Sequence, residues 1–238
     1  VEALRLIKAS VRSQGAYTLA APVGWHKSNQ NEAPSDLDAD LKTAILERAR
    51  AKPWHRYPEF TPRSLLDRLA THYDWDAEGL LVGNGSNELI QATLAVTLDR
   101  DDVIVAPAPT FSLYRLLAAV HGAHYVGVPF ARDFRYDMPR LLRTVERDAA
   151  KVLVLNTPNN PTGSAVTRRE VEAALDAFDG LVVCDEAYVE FGGETAIPLL
   201  AQHPRLVVLR TFSKAVGLAG LRFGVALAPP ELAREIAK

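Results

Sequence analysis

Six short segments with strand character recur along the chain and constrain its fold more than any other feature. Most are three or four residues long, apolar on both faces, and followed by a turn or a polar segment. They are Leu80 to Val82, Val103 to Val105, Tyr125 to Phe130, Val152 to Leu155, Leu181 to Cys184 and Leu206 to Leu209. Stretches with helical periodicity separate them. Buried strands that alternate with helices predict an α/β fold, with a mostly parallel central sheet and helices on both faces.

Composition excludes several classes of protein. The 238 residues include 27 Lys and Arg against 29 Asp and Glu, a formal charge of −2, which argues against a nucleic-acid-binding protein with a strongly basic surface. No apolar run approaches the ~18–20 residues of a membrane helix, so we expect no membrane partner. A single cysteine, Cys184, allows neither an intrachain disulfide nor a cysteine zinc cage. One thiol is compatible with a reducing compartment, and we expect a cytoplasmic protein.

The part of the chain before about Leu80 has a different character, because it is richer in proline and aromatic residues. One helix is expected over 36–51, and a second is expected to open with Thr61 as its cap and Pro62 as its first residue. We expect this flank to wrap the sheet domain. At the other end, the chain stops at Lys238 inside a helical pattern, and we expect the complete protein to continue beyond it.

The residues that follow the apolar runs define the candidate site, because ligands of open α/β sheets bind beyond the carboxyl ends of the strands. Five such ends carry distinctive chemistry: Gly83 to Asn87, Ala106 to Phe111, Asn156 to Gly163, Asp185 to Tyr188 and Arg210 to Lys214. Together they offer a glycine-rich turn, an aromatic ring, an amide, a carboxylate, a phenol, a hydroxyl and an amine.

Taken singly, each of these features also has an ordinary structural explanation. The turn at Gly83 to Asn87 could cradle an anion or simply connect a strand to a helix. Asp185 could cap a helix or accept a hydrogen bond from a protonated ring nitrogen. Lys214 could be a solvated surface residue, or its apolar neighbours could lower its pKa and make it a Schiff-base nucleophile. Ser213 and Arg222 offer donors that suit a phosphate, although Arg222 could be a structural cation.

The combination of these groups is more informative than any one of them. An amine nucleophile, a carboxylate for a pyridine nitrogen, a phosphate-binding turn and a stacking aromatic ring are what pyridoxal phosphate requires. The sequence therefore predicts that cofactor. His121 and His124 have a spacing that suits a metal pair, but no carboxylate partner is evident in the sequence, and we expect no metal site.

Seven blocks of sequence, taken in order, form a distinctive set. They are Asn29 to Pro34, Arg56 to Pro58, Gly83 to Ile90, Pro109 to Tyr114, Asn156 to Gly163, Asp185 to Tyr188 and Ser213 to Gly224. The set resembles the class I/II aminotransferases of fold type I, which depend on pyridoxal phosphate, and most closely their histidinol-phosphate branch. Two positions depart from the family pattern: Ala33 stands where Asn is common, and Phe111 where Tyr is frequent. A phenylalanine ring can still stack on the cofactor.

The resemblance implies a role for each matching residue. Lys214 would hold the cofactor covalently and shuttle the proton. Asp185 would pair with the protonated pyridine nitrogen, while Asn160 and Tyr188 would hydrogen-bond the phenolic oxygen of the ring. Phe111 would stack on the ring face. The residues expected around the phosphate are Gly85, Ser86, Asn87, Ser213 and Arg222.

The resemblance also implies an assembly and a domain arrangement. Tyr57 would reach the phosphate bound by the partner subunit, which implies a homodimer with shared active sites, and Tyr17 and Asn31 would lie on the substrate side. Residues 1–35 would form an N-terminal arm and part of the small domain, and residues 36–238 the large cofactor-binding domain. The rest of the small domain, with the arginine for the substrate carboxylate, would lie beyond Lys238.

The implied activity is transamination in histidine biosynthesis, from L-histidinol phosphate and 2-oxoglutarate to imidazole-acetol phosphate and L-glutamate. Another enzyme of the superfamily, such as an aromatic aminotransferase or a threonine-phosphate decarboxylase, is an alternative. An alternative from a different class is a non-catalytic, aminotransferase-like binding domain. The presence of Lys214, Asp185, Asn160 and Tyr188 argues against the non-catalytic alternative.

Overall fold

A seven-stranded sheet forms the centre of the molecule in the computed structural model, which describes residues 2–15, 27 and 29–238. The strands are β1 (Leu80–Asn84), β2 (Val103–Ala108), β3 (His124–Pro129), β4 (Val152–Asn156), β5 (Leu181–Asp185), β6 (Leu206–Thr211) and β7 (Phe223–Leu227). Their spatial order is β1-β7-β6-β5-β4-β2-β3. Neighbours from β3 to β6 are parallel, whereas β7 is antiparallel to both β6 and β1. The predicted mostly parallel α/β sheet is confirmed.

Helices lie before, between and after the strands. They are α1 (Ala9–Arg12), α2 (Ala39–Arg50), α3 (Arg63–Tyr73), α4 (Ser86–Thr97), α5 (Leu113–His121), α6 (Met138–Arg147), α7 (Arg168–Ala177) and α8 (Pro230–Ile236). Short 3₁₀ segments occur at Glu2–Leu6, Ala77–Gly79, Val189–Phe191, Ile197–Leu199 and Ala219–Leu221. Within the described residues, no helix is both long enough and apolar enough to cross a membrane.

The two faces of the sheet bury separate hydrophobic cores. In β4, Leu153 and Leu155 point into the core formed with α3, α6 and α7, whereas Val152 and Val154 point into the core formed with α4, α5 and α8. All four side chains are at most 1% exposed. Full burial of such a side chain contributes about 1.5–3 kcal/mol, which explains why this strand is apolar on both faces.

Local capping explains where several helices begin. The predicted capping box of α7 is present: the hydroxyl of Thr167 accepts from the amide of Glu170, and the carboxylate of Glu170 accepts from the amide of Thr167. The start predicted for α3 is wrong by one residue. That helix begins at Arg63, and Pro62 occupies the cap position without a side-chain cap.

The N-terminal flank packs on the sheet domain only in part. Helix α3 places Leu66 and Leu69 in the core, as expected of a flank that wraps the domain. Helix α2 has no buried residue, and Trp54 and Phe60 after it are also exposed. The prediction that the whole flank wraps the sheet is therefore wrong for α2 and the segment that follows it.

Candidate active site

The sheet brings the five chemically distinctive segments to one edge. Strands β1, β2, β4, β5 and β6 run in the same direction, so their carboxyl ends lie on the same side. Strand β7 runs the opposite way, and its first residue, Phe223, pairs with Asn84 at the end of β1. Arg222, which immediately precedes β7, therefore joins the same edge. The reversed strand supplies a cation that a wholly parallel sheet would have placed at the other end.

A cavity of about 500 Å³ opens at this edge. Four of the predicted site residues line it: Asn31, Asn160, Tyr188 and Lys214. The amide of Asn31 donates to the hydroxyl of Tyr188 at 3.1 Å. The Nζ atom of Lys214 donates to the carbonyl of Gln30 at 2.6 Å and lies 5.6 Å from the centre of the Tyr188 ring. The N-terminal segment around Asn31 thus forms one wall of the cavity.

Lys214 has the electrostatics of a reactive amine. Burial lowers the pKa of its amino group, the negative charge of Glu32 opposes that effect, and the positive charge of Arg222 adds to it. Glu32 also lines the cavity and forms an ion pair with Lys27 at 2.6 Å. An amine with a lowered pKa has a larger neutral, nucleophilic fraction near neutral pH.

Asp185 ends strand β5 and is only 2% exposed. Its Oδ2 atom accepts from the hydroxyl of Tyr114 at 2.6 Å, and its Oδ1 atom accepts from the amide of Ala187 at 3.1 Å. Burial raises the pKa of this carboxyl group, and these two donors oppose the rise. A buried carboxylate is costly unless a cation or strong donors compensate for it, so the arrangement suits a ligand that brings positive charge.

Asn156, which the sequence analysis did not single out as a site residue, connects Asp185 to the cavity. The two residues are paired in register at the ends of β4 and β5. The side-chain amide of Asn156 donates to the carbonyl of Asp185 at 3.1 Å, and its oxygen accepts from the amide of Asn160 at 2.8 Å. Asn156 is 1% exposed, and a buried amide with both ends bonded fixes the backbone around it.

The residues predicted to hold a phosphate lie around the turn from β1 into α4. Ser86 and Asn87 begin that helix, whose first-turn amides carry positive potential. Arg222 donates to the hydroxyl of Ser213 at 3.4 Å and to the carbonyl of Asn84 at 3.4 Å. Gly85 has a φ of +80°, and a Cβ there would collide with the guanidinium of Arg222. Together these groups form a cradle suited to a dianion.

The other three predicted residues are placed differently. Phe111 is half-buried, and its ring meets the Tyr114 ring edge-on, with centroids 5.8 Å apart and planes at 87°. Tyr57 is 96% exposed and does not line the cavity of its own chain. Tyr17 lies outside the described residues. Among the described residues, no group of three His, Cys, Asp or Glu side chains could hold a metal ion.

An ion pair that sequence reasoning missed lies next to Asp185. The carboxylate of Glu186 is fully buried and accepts from Arg210 at 2.8 Å, from the hydroxyl of Thr195 at 2.8 Å and from the amide of Ala196 at 2.6 Å. Arg210 also donates to Glu190 at 2.8 Å. These bonds tie the segment that carries Tyr188 to strand β6. Two acidic residues near the end of β5 were visible in the sequence, but their partners are distant in the chain.

The fold that carries this edge is that of a known class of transferase. The family model for aminotransferase class I and II matches residues 27–238. The chain therefore belongs to the aminotransferase class I and II family, and its fold is fold type I, as the sequence resemblance implied. Membership of this family makes pyridoxal phosphate the expected cofactor.

Named relatives and solved structures show which members of the family the chain is similar to. The chain is 39% identical to histidinol-phosphate aminotransferase from Chlorobium phaeovibrioides over 99% of its own length and 66% of that protein. It is 41% identical to the enzyme of that name from Chlorobaculum tepidum, over 89% of this chain and 61% of the relative. The crystal structure of histidinol-phosphate aminotransferase from Sinorhizobium meliloti in complex with pyridoxal-5'-phosphate superimposes with a TM-score of 0.79 at 30% identity, covering 86% of this chain and 56% of that one. The chain thus spans about three fifths to two thirds of these curated relatives.

Proposed function

We propose that this chain is the large-domain part of a pyridoxal-phosphate-dependent aminotransferase that transfers the amino group of L-histidinol phosphate to 2-oxoglutarate. One observation carries the proposal. A half-buried lysine with a lowered pKa shares a cavity with Asn160 and Tyr188. The side chain of Asn156 links the backbone amide of Asn160 to the backbone carbonyl of Asp185, whose carboxylate is buried.

The residues present fit pyridoxal phosphate on chemical grounds. Asp185 is a buried carboxylate whose two oxygens accept only neutral donors in the described structure, so a protonated pyridine nitrogen would supply the missing positive charge. The guanidinium of Arg222 lies beside the turn at Gly85, and it fits there only because Gly85 has no Cβ. A phosphate dianion suits the potential at the start of α4 and the guanidinium beside it.

When bound, pyridoxal phosphate supplies an electron sink for the electrons left behind when a proton leaves the carbon that bears the substrate amine. Lys214 would hold the cofactor and then carry that proton on its Nζ atom, for which a lowered pKa is required. The negative charge of Asp185 would keep the ring nitrogen protonated. Asn160 and Tyr188 would hydrogen-bond the phenolic oxygen, and the contact of Tyr188 with Asn31 would hold the tyrosine in place.

The choice of substrate is supported by the relatives rather than by the cavity. Those named histidinol-phosphate aminotransferase are 37–41% identical to this chain. A phosphorylated amino alcohol carries a dianion, and 2-oxoglutarate carries a second carboxylate, so one set of cations can serve both half-reactions. This reuse of one anion pocket would let a single site accept two different substrates.

We also propose a cytoplasmic homodimer with shared active sites. Tyr57 is 96% exposed and lies in a segment without buried neighbours, so its hydroxyl is available to the site of a second copy. A phenol that completes the partner's phosphate cradle would explain why an aromatic side chain is left in solvent on one chain.

A half-reaction on the full-length protein tests the proposed function. The protein loaded with pyridoxal phosphate is mixed with one amine at a time, and the absorbance of the aldehyde form of the cofactor is followed. Histidinol phosphate should remove that absorbance far faster than histidinol, phenylalanine or threonine phosphate does. Addition of 2-oxoglutarate should then restore it. Lys214→Ala is the matched control and should show neither change. Equal rates with histidinol, or faster rates with an aromatic amino acid, would overturn the substrate assignment, and absence of any discharge would overturn transamination.

A further inference from the structure

Tyr114 contacts two of the residues predicted to contact the cofactor ring, Asp185 and Phe111. It sits in the first turn of α5 and is fully buried. Its hydroxyl donates to the Oδ2 atom of Asp185 at 2.6 Å, and its ring packs edge-on against Phe111. One side chain thus contacts the carboxylate expected to face the ring nitrogen and the aromatic ring expected to stack on the ring face.

We propose that Tyr114 is a positioning residue that holds the Asp185 carboxylate in its ionised form and directs it at the ring nitrogen of the bound cofactor. The inference rests on the proposed function, because it concerns how the same site binds pyridoxal phosphate. The sequence and the comparisons give Tyr114 no role of its own.

The hydrogen bonding at Asp185 supports this role. Each carboxylate oxygen accepts one bond in the described structure, from Tyr114 and from the amide of Ala187. An O–H donor at 2.6 Å from a carboxylate has the short distance typical of a charge-assisted bond. Burial favours the neutral carboxyl, so loss of this donor would shift the group towards its protonated form.

The hydroxyl of Tyr114 acts as a donor to Asp185. Burial, together with the negative charge of Asp185, raises the pKa of this phenol well above its ordinary value. The phenol therefore keeps its proton throughout the working pH range and cannot take part as a base. Its hydroxyl therefore acts on the cofactor through Asp185.

A second buried tyrosine provides a matched control. Tyr136 is also buried near the end of β4, and its hydroxyl donates to the backbone carbonyl of Asn156. Replacing either tyrosine with phenylalanine removes one buried hydroxyl from the same region and keeps the ring. Only Tyr114→Phe removes a donor from a carboxylate.

The test compares the affinity of the full-length apoprotein for pyridoxal phosphate with its affinity for the analogue that has C–H in place of the ring nitrogen. Wild type should prefer pyridoxal phosphate, because only the natural cofactor can pair with Asp185. Tyr114→Phe should reduce that preference by about tenfold, because it removes a hydrogen bond to a charged group and such bonds contribute on that order. Tyr136→Phe should weaken both affinities equally. In an Asp185→Asn background, Tyr114→Phe should leave the ratio unchanged.

An unchanged preference in folded Tyr114→Phe would overturn the inference and leave the proposed function intact. Wild type that binds both compounds equally would overturn the pairing with Asp185 as well as the role of Tyr114. If Tyr114→Phe fails to fold, 3-fluorotyrosine is incorporated at position 114. It keeps the ring and makes the hydroxyl a stronger donor, so the preference should rise above that of wild type; no rise would contradict the role.

Discussion

The guanidinium of Arg222 fills the space that a side chain on residue 85 would need. A Cβ at Gly85 would collide with it, and the backbone of Gly85, with φ of +80°, is one that other residues rarely adopt. Arg222 itself has a φ of +54°. Arg222 adopts this left-handed backbone as the C-cap of the 3₁₀ segment Ala219–Leu221, and its guanidinium lies against the turn at Gly85.

Gly85→Ala is therefore expected to displace Arg222 and weaken phosphate binding. Affinity of the full-length apoprotein for pyridoxal phosphate should fall by about tenfold or more, since charge-assisted bonds contribute about 1.5–3 kcal/mol each. Affinity for pyridoxal, which has no phosphate, should change much less. Gly122→Ala is the control: its φ of +78° imposes similar strain, a Cβ there meets no atom closer than 3.8 Å, and the residue ends α5 outside the cavity lining. Equal losses for both compounds in Gly85→Ala would contradict the cradle.

Chemical labelling can test the lowered pKa of Lys214. Burial favours the neutral amine, so Lys214 should become reactive towards a brief pulse of acetic anhydride at lower pH than a lysine in a model peptide, whose pKa is about 10.4. Mass spectrometry of apoprotein peptides measures each site separately. The charge of Glu32 raises the pKa of Lys214, so Glu32→Gln should move its labelling to still lower pH. A labelling curve for Lys214 that coincides with that of the model peptide would show that burial does not activate the amine.

Asp185 should make the apoprotein less stable as the pH rises. The pKa of Asp185 is raised in the folded state. Its contribution to the free energy of unfolding is therefore fully present below its unfolded-state pKa of about 3.9, and this contribution is lost as the pH rises through its folded-state pKa. Asp185→Asn removes this titration. The variant should therefore gain stability relative to wild type as pH increases, while its transamination rate falls. Urea unfolding of both apoproteins across that pH range measures the difference, and a constant difference at every pH would refute the expectation.

The candidate site was predictable from the sequence where it depends on strand ends, and unpredictable where it depends on contacts between distant segments. Apolar runs mark β4 and β5, so the positions of Asn160, Asp185 and Tyr188 follow from the parallel arrangement. Strand β7 was not predicted, because it follows a glycine-containing segment with a short 3₁₀ turn, Ala219–Leu221, in place of an amphipathic helix.

The residues that the sequence analysis did not predict were missed for a different reason. Tyr114, Asn156 and the pair of Glu186 with Arg210 act through hydrogen bonds between residues 24 to 71 positions apart, and no local pattern marks such bonds. A tyrosine or arginine next to apolar residues is equally compatible with an ordinary core or surface position. Only the folded arrangement distinguishes these alternatives.

The ion pair between Glu186 and Arg210 should contribute strongly to stability. Arg210→Met leaves the fully buried Glu186 without its cation, and breaking a buried pair in this way costs about 3–5 kcal/mol. The double variant Glu186→Gln, Arg210→Met removes the unpaired charge and should recover much of that loss. Urea denaturation of the single and double variants measures both effects. A double variant less stable than Arg210→Met would indicate that the remaining bonds of Glu186, to Thr195 and Ala196, dominate.

Subunit mixing tests whether Tyr57 serves the neighbouring site. Tyr57 is almost fully exposed on its own chain, whereas Lys214 lies in the cavity. Full-length Lys214→Ala and Tyr57→Ala proteins should each be strongly impaired. A heterodimer of the two would contain one site with an intact Lys214 and a Tyr57 from its partner, so mixing should restore activity to at most half of the wild-type value. Mixing Lys214→Ala with Asp185→Asn provides the control, because both residues lie on the same chain's sheet edge, and the heterodimer would then have no intact site. Absence of recovery with Tyr57→Ala, despite demonstrated subunit exchange, would place Tyr57 outside the partner's site.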